Sequence, residues 1–191
     1  MTKGTYFKLK LDQKNLLDEY ETKHVLSFYN RGTKYGYCYF DMSTLNFYLG
    51  AFQDDFTLKQ FRTLVMQTRP VEFVCTSGTG DHTNIKGQET LKILHNTPCP
   101  PAQTLISFKD AAEKVEPILH RFFGTEDTPE LPEALSEAIG TSESKIALGL
   151  CLVFLDKLLL VDKSIPVASF EWQAPGSSQF AASQKNMLID A

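Results

Sequence analysis

One stretch constrains the fold of this chain more than any other: Lys34 to Thr68, KYGYCYFDMSTLNFYLGAFQDDFTLKQFRTLVMQT. Tyr35 to Asp41 alternates and is rich in aromatics, the pattern of a strand with two unlike faces. Asp41, Met42, Ser43 and Thr44 turn the chain, and Phe47 to Phe52 reads as a second strand, which makes a hairpin. Asp54 and Asp55 then open a helix, where carboxylates favour the positive end of the macrodipole. Phe56, Phe61, Leu64 and Val65 are expected along one face of that helix.

Downstream, apolar runs alternate between strand and helix character. Val71 to Cys75 is short, apolar and β-prone, as a buried parallel strand would be. Asn84 to His95 reads as a helix closed by Pro98, Pro100 and Pro101. Leu105 and Ile106 suggest another strand. Ser107 caps a helix running to Phe123, with Pro117 as an expected kink or break. Leu131 to Ile139 is a short helix, and Ser142 opens a long one to about Val161. Val167 to Trp172 reads as a further strand. This order predicts an α/β fold: a ribonuclease-H-like mixed sheet opened by an antiparallel hairpin and flanked by helices.

A chain of 191 residues suits one domain, or one domain with tails. Residues 2 to 11 read as a short strand, and 12 to 33 as a polar linker with a short helical stretch. The net charge of −4 argues against a strong, dedicated nucleic-acid surface, which carries a basic excess. Lys59, Arg62 and Arg69 nonetheless form a local basic stripe, or simply a solvated helix face. The cysteines at 38, 75, 99 and 151 form no C-x-x-C pair, so Cys38, Cys75 and Cys151 read as reduced core residues. The most apolar run, Ile146 to Leu155, is too short to span a bilayer and is expected to lie buried against the sheet.

Asp41 is the sharpest catalytic candidate, because ribonuclease-H-like nucleases gather carboxylates around paired metal ions. Asp54 and Asp55 open the next helix, Glu72 and Asp110 stand farther along, and none follows the expected strand-end placement. The simpler reading is that Asp41 starts the hairpin turn through its side-chain oxygen. Gly78, Thr79 and Gly80 lack the rest of a phosphate loop, and Ser77 lacks nucleophile-elbow flanks. His24, His82, His95 and His120 are scattered, with His120 on the inner half of its helix. No catalytic, cofactor-binding or metal-ligating residue is therefore assigned.

The wording of the hairpin carries a resemblance. G-x-C-x-x-D-x-S from Gly36, F-x-x-G-x-F-x-D-D from Phe47 and F-R-T-L-V from Phe61 resemble the connector domain of eukaryotic MutS-family DNA mismatch repair proteins. The F-R-T-L-V wording is closest to the subfamily of the sixth homologue. Thr2-Lys3-Gly4-Thr5 resembles the close of that family's mismatch-binding domain. Glu143 to Val161 resembles the long helix after the connector core, Phe170-Glu171 a loop after it, and Met187 to Ala191 the entry to the lever domain. The resemblance implies four parts: 1–33 as the end of the mismatch-binding domain and a linker, 34–123 as the connector core, 124–180 as a helical extension and loop, and 181–191 as the start of the lever.

It also implies a non-catalytic piece that couples mismatch-binding and ATPase regions and offers a docking face. ATP and Mg would belong to the parent protein, with no cofactor in this piece. The implied partners are a second MutS-homologue subunit, a MutL-type factor and, through the parent, mismatched DNA in the nucleus, with no membrane. A small metal-dependent nuclease on the same fold and a generic protein-interaction module are the alternatives. One departure is visible: the family's hairpin turn carries glycine where this chain has Leu45, and Asn46 is expected to take the positive φ instead.

Overall fold

In the computed structural model, residues 23–77, 85–124 and 131–173 are described, with backbone alone at 85–87. The expected N-terminal strand at 2–11, the motif at Thr2 to Thr5, Gly78 to Gly80, His82 and the segment Met187 to Ala191 lie outside them. Six strands form one sheet: β1 (His24–Arg31), β2 (Lys34–Asp41), β3 (Asn46–Gln53), β4 (Glu72–Ser77), β5 (Ala102–Ser107) and β6 (Ser169–Gln173). Their order is β5-β4-β1-β2-β3-β6. The β1–β2–β3 meander is antiparallel; β4 joins β1, β5 joins β4 and β6 joins β3 in parallel. This is the expected mixed sheet opened by an antiparallel hairpin.

The first strand corrects the linker expectation. Val25 to Tyr29 is one continuous buried run between the polar ends His24 and Asn30. A central strand covered on both faces loses the two-residue alternation that marks a half-buried one, so β1 hid among charged neighbours. The opening hairpin is thus β1–β2, turned by Gly32 and Thr33 with φ +62° at Gly32. The β2–β3 hairpin follows as expected.

Helices cover both faces. On one side α1 (Lys59–Thr68) sets Phe61, Leu64 and Val65 against Leu26, Phe28, Tyr35 and Phe73, and α2 (Ile85–His95) adds Leu94. Phe56 is not part of this face: it lies before the helix and is 87% exposed. On the other side lie α3 (Phe108–Phe123), α4 (Glu133–Gly140), α5 (Ser142–Lys157), the single turn α6 (Val161–Ser164) and a 3₁₀ turn (Ile165–Val167). The helix α3 runs unbroken through Pro117, on its exposed face. There the Glu113 carbonyl lacks its i+4 donor, at an exposed stretch of the helix.

Every residue of α5 from Ile146 to Leu155 is buried, as expected for a helix apolar around its whole circumference. It lies between the sheet, touching Val25, Cys38, Phe40 and Leu49, and the Ala111, Val115 face of α3. Two glycines let it in. A Cβ on Gly36 of β2 would stand 2.1 Å from the Glu143 carbonyl carbon, and one on Gly149 2.1 Å from the Ala111 carbonyl oxygen. Ser144 Oγ donates to the Gly50 carbonyl of β3 at 2.8 Å. The segment read as an extension beyond residue 123 is therefore packed into the same core as the hairpin. The helix stops at Lys157 rather than Val161: Leu160 N–H donates to the Leu155 carbonyl and Leu159 N–H to that of Asp156, both at 2.9 Å. That pair closes the end of a helix around a left-handed residue, here Leu159 with φ +57°.

Candidate functional site

Asp41 stands last on β2, directly opposite His24 of β1. Its Oδ1 accepts the Ser43 N–H at 2.8 Å, which is the turn-starting role. Its Oδ2 lies 3.8 Å from His24 Nε2, while His24 Nδ1–H donates to the Thr68 carbonyl. The hairpin closes with Leu45 N–H donating to the Asp41 carbonyl at 2.8 Å. Leu45 itself takes the positive φ, +58°, and Asn46 is already extended as the first residue of β3. The expectation that Asn46 would absorb the strain is thus corrected. Leu45 packs partly buried on the core, and that contact offsets the left-handed cost.

The carboxylates of Asp54, Asp55 and Glu72 are also tied to local structure. Asp54 is buried, accepting the Phe61 N–H at 2.8 Å on Oδ2 and the Gln60 and Asp55 N–H groups on Oδ1. It caps α1 from five residues before its start, because Asp55 first makes a turn of its own. Asp55 Oδ1 accepts from the Thr57 hydroxyl and N–H, which together hold its carboxyl below the usual range, the hydroxyl most. Glu72 opens β4 fully buried and accepts the Thr104 hydroxyl from β5. Asp110 gives its N–H to Ser107 Oγ, the expected cap of α3, at 3.4 Å. Among the described residues no three His, Cys, Asp or Glu side chains stand together as metal ligands would.

The remaining candidates disperse. His95 and His120 are exposed on different helices, so His120 is not on an inner face. Ser77 ends β4, paired with Ser107. Cys38, Cys75 and Cys151 are buried and free, and Cys99 is exposed. Burial first, and the adjacent Cys151 thiol second, push the Cys38 thiol well up, so it stays protonated. Phe170-Glu171 is strand rather than loop: Phe170 stacks on Phe47 at 5.0 Å, and β6 extends the sheet beside β3. Lys59 and Arg62 share the exposed side of α1, and Arg69, also exposed, caps its end with φ +41°.

A tyrosine cluster on the α1 side of the sheet was not singled out from sequence, although the Tyr35-x-Tyr37-x-Tyr39 alternation was its signal. Tyr37 donates to Gln173 Oε1 at 2.8 Å, and Gln173 Nε2 donates to the Tyr39 hydroxyl at 3.1 Å. Tyr39 stacks on Tyr48 with centroids 4.5 Å apart. Burial pushes Tyr39 up to about 12 and raises Tyr37 further. These hydroxyls are thus fixed hydrogen-bonding groups that tie β6 to β2 across β3.

The family described as MutS domain II matches residues 23–143. The human DNA mismatch repair protein Msh6 is 28% identical over 188 residues, 82% of this chain and 13% of that protein. Its chicken counterpart is 28% identical over 187 residues, 82% of this chain and 14% of that one. The chain thus spans about an eighth of the length of these curated relatives. Two solved structures are similar to this chain at low sequence identity. A fowlpox virus resolvase with Holliday junction DNA has a TM-score of 0.46 at 12% identity, over 71% of this chain and 99% of that one. RuvC of T. thermophilus with its Holliday junction substrate has 0.41 at 10%, over 71% and 96%. The family match begins at the residue before β1 and takes in every strand but β6, so this chain belongs to the MutS family of DNA mismatch repair proteins, as their domain II, the connector.

Proposed function

We propose that this domain works without catalysis, as a rigid link between the mismatch-reading and ATP-hydrolysing parts of a longer repair protein. What supports this reading is the engagement of its carboxylates: Asp41, Asp54, Asp55 and Glu72 each hold a turn, a helix start or a neighbouring strand. A sheet clamped on both faces transmits displacement rather than absorbing it, because close-packed interiors yield little. ATP with Mg would be bound by the longer protein, and mismatched DNA by its mismatch-reading part, in the nucleus. The connector would meet the second MutS-homologue subunit and a MutL-type factor.

Incubating the chain with junction, hybrid and duplex substrates in Mg²⁺ or Mn²⁺ tests the first half. No cleavage is expected, and cleavage abolished by Asp41→Asn would overturn the reading. Fluorescence anisotropy at physiological salt should show DNA binding no tighter than about micromolar, the non-specific range. Co-precipitation with the second MutS-homologue subunit or a MutL-type factor tests the docking half.

A further inference from the structure

The two most exposed large apolar side chains on the α1 side of the molecule are Phe56, at 87%, and Met66, at 74%. Both lie beside the basic stripe. Lys59, Arg62 and Met66 recur at three- and four-residue steps, so they share the outer face of α1; Arg69, also exposed, caps its end in the left-handed conformation, and Phe56 precedes its first turn. The helix contains no acidic residue. Asp55, the exposed acid beside Phe56 in sequence, is tied to Thr57, and Asp54 is buried as the cap. Arg62 Nε donates to the Thr57 carbonyl at 3.1 Å, which braces the turn that presents Phe56.

We propose that this face of α1 is a docking surface for an acidic segment of a partner protein, one whose apolar side chains seat on Phe56 and Met66 while its carboxylates meet Lys59, Arg62 and Arg69. The inference rests on the reading of this domain as a docking module and names the face and the partner's chemistry. Charge complementarity selects the occupant. A chain of net charge −4 that sets Lys59 and Arg62 on one short helix and Arg69 at its end repels basic and attracts acidic segments there. Phosphates would meet the same cations, but three of them neutralise too few charges for useful affinity at physiological salt. Nor do an exposed Phe and Met match a backbone of phosphates. An adaptable thioether beside an aromatic anchor suits a peptide.

The test uses the whole 191-residue chain and a labelled synthetic peptide of glutamate, leucine and phenylalanine. A version with lysine for glutamate and a duplex oligonucleotide serve as comparisons. The acidic peptide should bind, more weakly as salt rises, and the lysine version should not. Phe56→Ala and the double variant Arg62→Glu with Arg69→Glu should each weaken binding by about tenfold or more. Circular dichroism should remain unchanged, since all three side chains are exposed. Equal binding of both peptides, no binding, or tighter binding of the duplex on the same residues overturns the proposal. So does peptide binding that vanishes in the longer protein, because the face is then covered from within. If the peptide fails while a MutS- or MutL-type partner still co-precipitates, only the α1 assignment falls. If both fail, the docking reading falls with it.

Discussion

The carbonyl oxygen of Ala111 occupies the place where a side chain on Gly149 would have to go, 2.1 Å from a Cβ built there. The contact is backbone against backbone, between α3 and α5, so no rotamer change relieves it. Gly149→Ala gains up to about 1 kcal/mol of helix propensity but forces the two helices apart. Overpacking of that kind costs about 1–3 kcal/mol or more, so net destabilisation is expected by urea unfolding. Gly140→Ala is the control: nothing lies within 4 Å of its Cβ, and the change should be neutral or mildly stabilising.

Leu159 offers the opposite sign. It sits at the left-handed position that closes α5, φ +57°, with its side chain 75% exposed. Glycine there removes a steric cost of about 1–2 kcal/mol and gives up little burial. Leu159→Gly should raise the melting temperature. Leu45→Gly should gain less, because Leu45 also packs on the core.

Asp54 holds the start of α1 through the buried N–H of Phe61. Asp54→Ala should cost about 1–2 kcal/mol, the upper part of the range for a lost cap. Asp54→Asn, which keeps one acceptor oxygen, should cost less. Denaturant melts followed by far-ultraviolet circular dichroism compare the two.

Stability should fall in alkali between about pH 10 and 12. Tyr39 titrates near 12 when folded against 10.0 when exposed, and Tyr37 is raised further, burial being the main cause for both. The folded chain therefore keeps protons that the unfolded chain has released, and the stabilisation present below pH 10 is lost as pH climbs through the folded value. Tyrosinate absorbance should show at least two late-titrating groups. Tyr37→Phe should flatten the alkaline loss while lowering neutral stability, since it removes the donor to Gln173 Oε1.

The β2–β3 hairpin was legible because each strand has unlike faces, and α5 because its run of apolar residues was too long to leave exposed. The strand β1 was not, because burial on both faces erases periodicity. Phe56 shows how spacing misleads. Positions 61, 64 and 65 share one helical face and Phe56 is expected with them, but the Asp55–Thr57 turn delays the helix to Lys59 and leaves Phe56 outside it. Nothing local marks Leu45 as left-handed, since that conformation is imposed by the pairing of Asp41 with Asn46 on either side. Of the α1 docking face, the cations were visible as a stripe; the exposure of its two apolar anchors was not.

The Ser144–Gly50 bond joins residues 94 apart in the chain, and the helix that carries Ser144 is the one that covers Val25, Cys38, Phe40 and Leu49. On a ribosome the hairpin therefore emerges long before its cover, with one greasy side open while about a hundred more residues are made. A nascent chain halted before Ser142 would present that side to any chaperone nearby, or to another copy of itself. The same holds for a piece trimmed at residue 143, where the family match ends: it would keep five of the six strands and lose the helix that makes them a stable sheet.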